Sequence, residues 1–460
     1  MREVRKTNCH FCGYLCAFHA TVEDGRVVDL EPDPSRYPYD PKVLAGCRRW
    51  KMNLDVLDGD DRVNYPLRRV GERGANNWER VSWDEALDDI AQRLSKLRDQ
   101  YGSETLASMI GGPHASFWPL HRFMNMFGSP NNMGIGQICW NPRIWMDAIT
   151  FGWTIEADIN DDTECVFIWG TNPAESDNSL WWQSIRRIGK SDTPLVVIDP
   201  RYTKTASCAD LWIAPKTGTD CALALGFANV IIAEGLYDRD FVGQWCHGFD
   251  EFAAHVARYT PEYVAEFCGV SADDVRTAAR WFGRAQAAAL VSGRGIDQSG
   301  RNVAPTHRAI CCLRAITGNV DVPGGNVLGP KASFTGAWRY EQIKWVAEKE
   351  KQSRIGNDRE PIERNALSNV QSDAILPELE LPDDQRTVHM IWFNSCNALV
   401  CMPAEPQRWI NACQKMDFNV VQDLFMTPTA MALCDLFLPV STFIEHDGVV
   451  QIHYGRHTPY

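Results

Sequence analysis

The chain has 460 residues, of which 45% are hydrophobic, and a formal net charge of -13 at pH 7. This length and composition are enough to bury several cores, so we expect two to four domains and exclude an intrinsically disordered chain. The acidic excess argues against a nucleic-acid partner, because a binding face would have to oppose the field of the rest of the protein.

The N-terminal segment, residues 1–7, is basic but has no apolar stretch behind it, so it does not have the pattern of a signal peptide. The paired Arg48 and Arg49 are internal and cannot be a twin-arginine signal. No run approaches the roughly 18 apolar residues of a membrane span. Most of the 16 cysteines are scattered without a pairing framework, which favours a reducing compartment. The sequence therefore predicts a cytoplasmic location with no direct membrane span.

Four cysteines near the start of the chain have the spacing C-x2-C-x3-C-x30-C. They are Cys9, Cys12, Cys16 and Cys47. This spacing favours one [4Fe-4S] cluster, because short intervals let consecutive thiolates reach different corners of the cube while the fourth comes from a distant loop. Zinc is the alternative, although its C-x2-C ligands usually come as two pairs. Four unrelated buried thiols are the third interpretation.

The residues after the first three cysteines predict a hairpin and then a long helix. Residues 20–23 and 26–30 flank Asp24-Gly25, a pair that favours the positive φ angles of a two-residue hairpin turn. Residues 65–70 predict a strand that leads out of this small β-rich domain. Ser82 and Glu85 have the spacing of a capping box, and the apolar residues that follow recur at helical spacing.

From about residue 105, short apolar runs alternate with amphipathic segments. The predicted strands are 165–169, 195–198, 211–214, 287–291, 388–393 and 419–421, and the predicted helices are 179–188, 220–233, 272–284 and 303–316. The expected fold class is therefore α/β, with a small N-terminal Fe-S β-rich domain followed by doubly wound α/β domains. Residues 329–386 are charged and weakly periodic, so we expect an insertion or a surface linker there.

Polar residues follow several of the predicted strands. The sequences are GTNP after 165–169, DPR after 195–198, NS after 388–393 and QD at 422–423. In open α/β sheets ligands bind beyond the carboxyl ends of strands, and this mixture of groups suits a ligand with phosphates, riboses and heterocyclic edges. Each sequence taken alone is also an ordinary turn. Neither G-x-G-x-x-G after a strand nor a Walker A motif occurs, which argues against simple NAD binding and ATPase chemistry.

A series of motifs occurs in a fixed order along the chain. They are the cysteine set, WERVSWDEALDDIA (78–91), FMNMFGSPN (123–131), WGTNPAES (169–176), IDPRYTKTA (198–206), GTDCAL (218–223), TGNVDVPGGN (317–326) and QDLFMTPTA (422–430). In these motifs the chain resembles the catalytic subunits of the molybdopterin oxidoreductases of the dimethyl-sulfoxide-reductase family. The resemblance covers nearly the whole chain. It implies a [4Fe-4S] cluster and two molybdopterin guanine dinucleotides (bis-MGD) that hold one Mo or W atom.

The resemblance also implies which residues contact the two dinucleotides. For the first dinucleotide these are Asn172 and Ser176, with Asp199, Arg201 and Thr203 around the guanosine end and Gly218 and Asp220 nearby. For the second they are Asn394, Gln422, Thr427 and Thr429. Arg49 would lie between cluster and pterin, where a guanidinium can hydrogen-bond both redox groups. A solvated surface arginine is the other interpretation.

Cys139 stands where the family has its protein ligand to the metal. A thiolate suits Mo or W, because a soft, electron-rich ligand completes the sulfur set of the pterins. Without the resemblance, a lone cysteine at this position would be interpreted as a buried apolar residue. His114, His121, Arg143 and Trp153 are near Cys139 in sequence and are candidates for the lining of a substrate funnel, with structural roles as the alternative.

Two neighbouring positions bear on the reaction. Formate dehydrogenases of this family have a histidine directly after the metal ligand, whereas this chain has Trp140. The acetylene hydratase branch, which the chain otherwise resembles, has an aspartate after the second cluster cysteine, and here that position is Gly13. We therefore expect an oxidoreductase, passing electrons between the cluster and the Mo/W centre, for a small-molecule substrate. A non-redox hydratase or hydroxytransferase, related to the aromatic dehydroxylases, is the alternative.

The family continues into a C-terminal barrel domain, whereas this chain stops at Tyr460. We therefore expect a fragment, or a separate polypeptide that supplies the barrel, together with an electron-transfer Fe-S subunit as a second partner. A truncated, non-catalytic subunit that binds the cluster and cofactor is a further alternative. The predicted domains are 1–65 for the cluster, 66–165 with 330–400 for a discontinuous α/β domain, 166–329 for one MGD, and 401–460 for the second MGD segment.

Overall fold

The structure, a computed structural model, describes residues 1–9, 11, 16–33, 35, 49–111, 114–134, 139, 141–176, 180–298, 300–329, 352–359, 370–401 and 404–446. Cys12, Cys47, Gly13 and Trp140 lie outside the described residues. The strands are β1 Arg2–Asn8, β2 Ala17–Glu23, β3 Arg26–Pro32, β4 Leu67–Arg69, β5 Trp78–Arg80, β6 Leu106–Ile110, β7 Asn132–Gly134, β8 Ile155–Ala157, β9 Cys165–Trp169, β10 Leu195–Ile198, β11 Leu211–Ile213, β12 Ala288–Ser292, β13 Asn326–Leu328, β14 Met390–Asn394, β15 Phe418–Asp423 and β16 Leu436–Pro439.

The helices follow the same chain order. They are α1 Asn53–Asp58, α2 Trp83–Tyr101, α3 His114–Phe127, α4 Asn141–Phe151, α5 Pro173–Ser176, α6 Leu180–Ile188, α7 Asp220–Ala233, α8 Arg239–Trp245, α9 Phe249–Val256, α10 Pro261–Cys268, α11 Ala272–Arg284, α12 Arg294–Asp297, α13 Val303–Ile316, α14 Ser372–Glu380, α15 Ala398–Cys401, α16 Pro406–Cys413 and α17 Pro428–Leu433. Among these helices, none is both long and apolar enough to span a bilayer.

The described residues divide into two compact units, each built from separate stretches of chain. The first unit comprises residues within 1–51 and 136–331, and the second comprises residues within 52–135 and 332–450. Residues 66–135 and 370–400 both supply strands to one sheet of the second unit. The four domains expected from the sequence, with the boundaries given above, stay a prediction.

The N-terminal part of the first unit is a three-stranded antiparallel sheet in the order β1-β2-β3. Asp24 and Gly25 connect β2 to β3 with φ angles of 48° and 83°, so the predicted two-residue turn with positive φ at both positions is confirmed. β1 and β2 pair as far as Asn8 and Ala17. The small β-rich domain expected around the cysteines is therefore present.

The larger part of the first unit is a parallel sheet with strand order β11-β10-β9-β12. Residues of β9 alternate between two cores: Phe167 and Trp169 pack with α7, α11 and α13, whereas Val166 and Ile168 pack on the opposite face with α6. Strands that are covered on both faces read as continuous apolar runs, and β9, β10 and β12 have this pattern. The doubly wound α/β fold is confirmed for this unit.

The second unit contains a seven-stranded sheet in the order β5-β4-β16-β15-β14-β6-β7. The strands from β16 to β7 are parallel, and β4 joins β16 antiparallel at one side. Two cores cover its faces, one around Phe393 and Phe437 and the other around Leu106 and Val420. The α2 helix packs on the second core, and the predicted capping box of Ser82 and Glu85 is present at its N-terminus.

Most element predictions between residues 165 and 316 agree closely with the structure. The bounds of β9, β10, α7, α11 and α13 coincide with the predicted ranges. Of the two alternatives for residues 329–386, an insertion or a surface linker, the surface linker is wrong for α14, because Ile375 and Leu379 are fully buried in the core of the second unit. Pro377 and the charged neighbours of these residues hide their helical period in the sequence.

Candidate functional site: a cysteine pair and two strand-end crevices

Two cysteines of the predicted cluster set meet at one end of the small N-terminal sheet. The amide of Cys9 donates to the carbonyl of Cys16 at 2.8 Å, which continues the β1–β2 ladder by one residue. Both cysteines are buried. The sheet thus holds two of the four predicted ligands at fixed separation. Within the described ranges, no group of three or more His, Cys, Asp or Glu side chains is placed to hold a metal ion.

The crevice of the first unit lies where β9 and β12 end. The chain leaves β9 towards β10 and β11 on one side and returns to β12 on the other, so the topological switch point falls between β9 and β12. Ligands of open α/β sheets bind at such a point. The two strand ends approach so closely that a Cβ on Gly293 would overlap the carbonyl oxygen of Gly170. Only glycine fits here, and the backbone of both turns borders the crevice.

Asn172 is held in place by two side chains. Its Nδ2 donates to Glu175 Oε2 at 2.8 Å, and its Oδ1 accepts from the hydroxyl of Thr205 at 2.7 Å. Ser176 donates its hydroxyl to the carbonyl of Asn172. Thr205 is fully buried and also accepts from the amide of Ala174. The sequence analysis did not single out Thr205, although it lies inside the IDPRYTKTA motif.

The turn after β10 presents a carboxylate and a guanidinium. Asp199 accepts the amide of Arg201 at its Oδ1, and within the described part of the chain its Oδ2 makes no further hydrogen bond. The guanidinium of Arg201 is 74% exposed and lies 3.8 Å from Glu175. Thr203 is buried, and its hydroxyl accepts from the amide of Ala206. Asp199 and Arg201 are thus available to a ligand, whereas Thr203 supports the turn.

Asp220 begins α7, and Gly218 precedes it with a φ of 84°. Trp169, the last residue of β9, donates its indole N–H to Asp220 Oδ1 at 2.8 Å. Burial raises the pKa of the Asp220 carboxyl, the charge of Asp199 adds to this rise, and the hydrogen bond from Trp169 opposes it. Two of the predicted carboxylates are therefore close enough to influence each other at the strand-end crevice.

Arg49 contacts the same region of the first unit. Its Nη2 lies 3.4 Å from the carbonyl oxygen of Glu175 in α5. The next residue, Trp50, packs against Phe18 of β2 with 5.1 Å between the ring centroids. Residues 49 and 50 therefore connect the sheet that carries Cys9 and Cys16 to the helix that carries Ser176.

The second unit has a crevice of the same kind between β14 and β6. The chain runs from β6 outward to β7 and later returns to β14 and on to β15, so the switch point lies between β6 and β14. A Cβ on Gly111, which follows β6, would overlap the carbonyl oxygen of Ser395, which follows β14. Ser395 itself has a φ of 46°, an uncommon conformation for a residue with a side chain.

Asn394 and Gln422 come together at the end of these strands, as the sequence predicts. Gln422 Oε1 accepts from Asn394 Nδ2 at 2.8 Å and from the indole of Trp392 at 3.2 Å. Because two donors hold the amide oxygen, the orientation of the Gln422 amide is defined. Its NH2 group makes no hydrogen bond within the described part of the chain. Two N–H donors are thus available to an acceptor-rich ligand.

The two predicted threonines of this unit lie at the start of α17. Thr427 is the N-cap of α17 and accepts the amide of Ala430. Thr429 is fully buried, and it donates its hydroxyl to Asn397 Oδ1 at 2.8 Å while accepting the amide of Leu399. The Thr427 hydroxyl thus caps α17, and the Thr429 hydroxyl supports the loop after β14. Asn397, which the sequence analysis missed, connects this loop to α17.

Cys139 belongs to the first unit and is half-buried. It lies two residues before α4 begins at Asn141. Of the other funnel candidates in this unit, Trp153 donates its indole N–H to the carbonyl of Gly329 at 3.0 Å. The guanidinium of Arg143 is buried against Ser292 at the end of β12.

The donor set of the two crevices fits a nucleotide-type cofactor. The first offers two carboxylates for the N–H edge of a base or for ribose hydroxyls, together with the exposed guanidinium of Arg201 for a phosphate. The second offers the NH2 group of Gln422. In both, a glycine lets two backbone turns approach closely. Fold and candidate site are therefore those expected of one class, an α/β protein that binds a nucleotide-type cofactor at the ends of its strands.

The comparison with known families agrees with this class. The Molybdopterin oxidoreductase family matches residues 62–458, and the Molybdopterin oxidoreductase Fe4S4 domain matches residues 2–37. The chain therefore belongs to the molybdopterin oxidoreductase family. The predicted family is confirmed, and so are its cofactor classes, a [4Fe-4S] cluster and molybdopterin with Mo or W.

Several characterised proteins are similar along almost the whole chain. Acetylene hydratase of Syntrophotalea acetylenica is 32% identical over 96% of this chain and 63% of its own length. Formate dehydrogenase H of Escherichia coli is 29% identical over 96% of this chain and 63% of its own length. The solved structure of acetylene hydratase from Pelobacter acetylenicus matches with a TM-score of 0.87 at 30% identity, over 98% of this chain and 65% of that chain. The chain thus spans just under two thirds of the length of these relatives.

Asp220→Asn should stabilise the protein at neutral pH. Burial raises the folded-state pKa of Asp220 above its ordinary value of 3.8, so its contribution to stability is full below pH 3.8 and is lost as the pH rises through the raised pKa. Asparagine removes the charge and keeps an acceptor for Trp169. We expect the midpoint of thermal unfolding at pH 7 to rise by about 2–4 °C, with a smaller difference near pH 4.

The exposed Asp192 is the matched control, and Asp192→Asn should leave the unfolding midpoint unchanged. A lower midpoint for Asp220→Asn at pH 7 would contradict the effect of burial. A guanine base that offered its N–H edge to residue 220 would bind the variant more weakly in equilibrium titrations, because a neutral amide cannot accept both N–H groups.

Proposed function

We propose that this chain binds the cofactors of a redox enzyme, in which electrons pass between a [4Fe-4S] cluster and a Mo or W atom held by two molybdopterin guanine dinucleotides, and a small molecule is reduced or oxidised. One observation carries the proposal. Residues 49 and 50 contact both the cysteine-bearing sheet and α5 of the strand-end crevice. A cluster at the cysteines would then lie beside a cofactor in that crevice.

The cluster ligands in this proposal are Cys9, Cys12, Cys16 and Cys47. The buried pair Cys9 and Cys16 supports it, since the ladder bond between them holds both thiols at one end of the sheet. Arg49 follows two residues after Cys47 and reaches the carbonyl of Glu175. Its positive charge favours an extra electron on a neighbouring cluster, because a cation stabilises added negative charge.

Each unit binds one dinucleotide in this proposal. In the first unit, Asp199 and Asp220 accept N–H and hydroxyl groups, Arg201 pairs with phosphate, and Asn172 and Ser176 lie at the turn after β9. In the second unit, Asn394 orients Gln422, whose NH2 group donates to the ligand. Thr203, Thr427 and Thr429 act through the backbone turns that they support, and Gly218 adopts the φ of 84° that the turn before Asp220 requires.

Cys139 is the protein ligand to the metal in this proposal. Its half-buried position before α4 leaves the thiol accessible to a ligand. When bound, the metal and its pterins supply the electron transfer to or from the substrate. In the same proposal the substrate is a small molecule, a separate Fe-S subunit exchanges electrons with this chain, and the protein is cytoplasmic. The relatives include a protein named F420-dependent formate dehydrogenase subunit alpha, whose name marks it as part of a larger enzyme.

A second candidate function is the hydration of a small molecule without net redox change. It is favoured by the similarity to acetylene hydratase, with a TM-score of 0.87. Gly13 argues against it, because this residue has no side chain to act on a water molecule at the position where the hydratase branch has an acid. Turnover that continues unchanged with a cluster locked in one oxidation state would favour hydration over the redox proposal.

Cys12→Ser should abolish binding of the cluster. Anaerobically purified wild-type protein should contain about four iron atoms per chain and show broad visible absorption, and the variant should lose both. Cys401 is exposed, and Cys401→Ser is the matched control that should keep full iron content. Stoichiometric zinc without iron in the wild type would establish the zinc alternative instead.

Cys139→Ala should remove one sulfur from the metal. X-ray absorption at the Mo or W edge should lose one sulfur scatterer, and turnover should fall to background, because the soft ligand that completes the sulfur set is gone. Cys208→Ala, a partly exposed cysteine of the same unit, should leave the spectrum unchanged. An unaltered spectrum for Cys139→Ala would assign Cys139 to the structural residues.

Arg49→Ala should slow electron transfer and leave both cofactors bound. We expect unchanged iron and pterin contents and a reduction of the metal by an artificial donor that is about tenfold slower, since one charge-assisted hydrogen bond is lost without a ligand. Arg49→Lys should recover part of the rate. Arg5→Ala, which removes an exposed arginine of the same small sheet, is the control. Wild-type rates in Arg49→Ala would refute the role.

A further inference from the structure

The outer edge of β12 is closed by side chains instead of another strand. β12 is the last strand of the four-stranded sheet, so only one of its sides pairs with β9. Residues 288, 290 and 292 turn their polar backbone groups to the other side, and these groups are buried. Buried backbone N–H and C=O groups require partners. Four side chains supply such partners along this edge, and we call this row the β12 edge ladder: Asn319, Asn326, Arg314 and Arg143.

Two asparagines occupy the amino end of the ladder. Asn319 Oδ1 accepts the amide of Ala288 at 2.7 Å. Asn326 donates to the carbonyl of Ala288 at 2.8 Å and accepts the amide of Leu290 at 3.3 Å, as a neighbouring strand would. Both asparagines are fully buried. They are the asparagines of the TGNVDVPGGN motif, so the structure gives this motif a physical role.

Two arginines occupy the carboxyl end of the ladder. Arg314 of α13 donates to the carbonyl of Leu290 at 3.0 Å. Arg143 of α4 donates to the carbonyl of Ser292 and lies 3.4 Å from the Ser292 hydroxyl. Ser292 is the last residue of β12, and Gly293 of the strand-end crevice follows it. Arg143 is therefore the member of the ladder that meets the crevice.

Arg143 also lies in the first turn of α4, four residues after Cys139. One turn further, Asp147 pairs with Arg314 at 3.4 Å and accepts the amide of Ile155. Buried charged side chains thus link the N-terminal half of α4 to the backbone of β12: Arg143 directly, and Asp147 through Arg314. Near the other end of α4, Thr150 accepts from the exposed Arg308 at 2.7 Å.

We propose that Arg143 is a positioning residue for Cys139: by binding the carbonyl of Ser292 it sets the distance between the start of α4 and the strand-end crevice. The proposal rests on the proposed role of Cys139 as a metal ligand. The buried guanidinium of Arg143 links the start of α4, which follows Cys139, to the end of β12, which borders the crevice. A cation that donates to a buried carbonyl is hard to replace, because its loss leaves that carbonyl without a partner.

The first test is local opening of α4, measured by amide hydrogen exchange in the whole chain. Trp145, Met146 and Asp147 donate their amides to the first turn of α4 by helix geometry, so their exchange reports whether that turn is formed. In Arg143→Gln these amides should exchange about tenfold faster, the effect expected for the loss of one charged hydrogen bond. Arg143→Lys keeps a charged donor and should restore most of the protection.

Two controls separate positioning from general stability. Asn326→Ala removes the other end of the β12 edge ladder, so it should speed exchange in β12 and leave the first turn of α4 protected. Arg308→Gln removes an arginine contact to the far end of α4 and should affect only its last turn. Wild-type exchange in Arg143→Gln, or an equal effect of Asn326→Ala on Trp145 to Asp147, would overturn the proposal.

The second test concerns the metal. In holoenzyme carrying Arg143→Gln, the sulfur shell at the Mo or W absorption edge should broaden or lose the protein sulfur, and Arg143→Lys should restore it, whereas Asn326→Ala and Arg308→Gln should keep the wild-type shell. A wild-type shell in Arg143→Gln together with faster exchange would overturn the positioning role. If Cys139→Ala leaves the metal edge unchanged, the assignment of Cys139 as a ligand fails. The Cys139→Ala spectrum therefore distinguishes this failure from a failure of the positioning role of Arg143.

Discussion

The need of buried backbone groups for hydrogen-bond partners constrains the whole first unit. The free edge of β12 in its parallel sheet is buried, so the backbone groups along that edge cannot bond to water. Side chains from α4, α13, the turn after α13 and the first residue of β13 provide the partners. Each of these elements must place a side chain at a particular carbonyl or amide of β12. These hydrogen bonds therefore fix the positions of the elements relative to the sheet.

A steric constraint shapes both crevices. At each switch point the turns after the two neighbouring strands lie so close together that there is no room for a Cβ between them. The residue at this contact is Gly293 in the first unit and Gly111 in the second. The polar side chains around them are held by neighbours: Asn172 by Thr205, and Gln422 by Asn394 and Trp392. Groups held in this way lose little conformational entropy when they bind a ligand.

Burial and charge are combined at these sites in a way that costs stability. Burial raises the pKa of Asp220 and of Asp423, which ends β15, so each carboxylate pays a desolvation penalty in the folded chain. The pKa of Glu156 is also raised by burial, although Arg143 lies near enough to oppose it. Perturbed carboxyl groups often cluster at functional sites, and a ligand that offers N–H donors to Asp220 would recover part of that penalty.

Local sequence determined much of this protein. The Asp24-Gly25 turn, the capping box of α2 and the bounds of β9, α7 and α13 follow from residue type and periodicity, because each depends on neighbours within a few residues. The cysteine spacing and the polar strand ends likewise indicated the cofactor chemistry, and the motif order indicated the family.

Only the tertiary structure decided which of these residues meet. The α14 helix was hidden by Pro377 and its charged neighbours, and β6 gave no recognisable signal of its own, because both are stabilised by burial against distant elements. Nothing local shows that Arg143 binds the carbonyl of Ser292, 149 positions away along the chain. Such pairings depend on the free edge of a sheet whose strand order reverses along the chain, and that edge exists only once the sheet has formed.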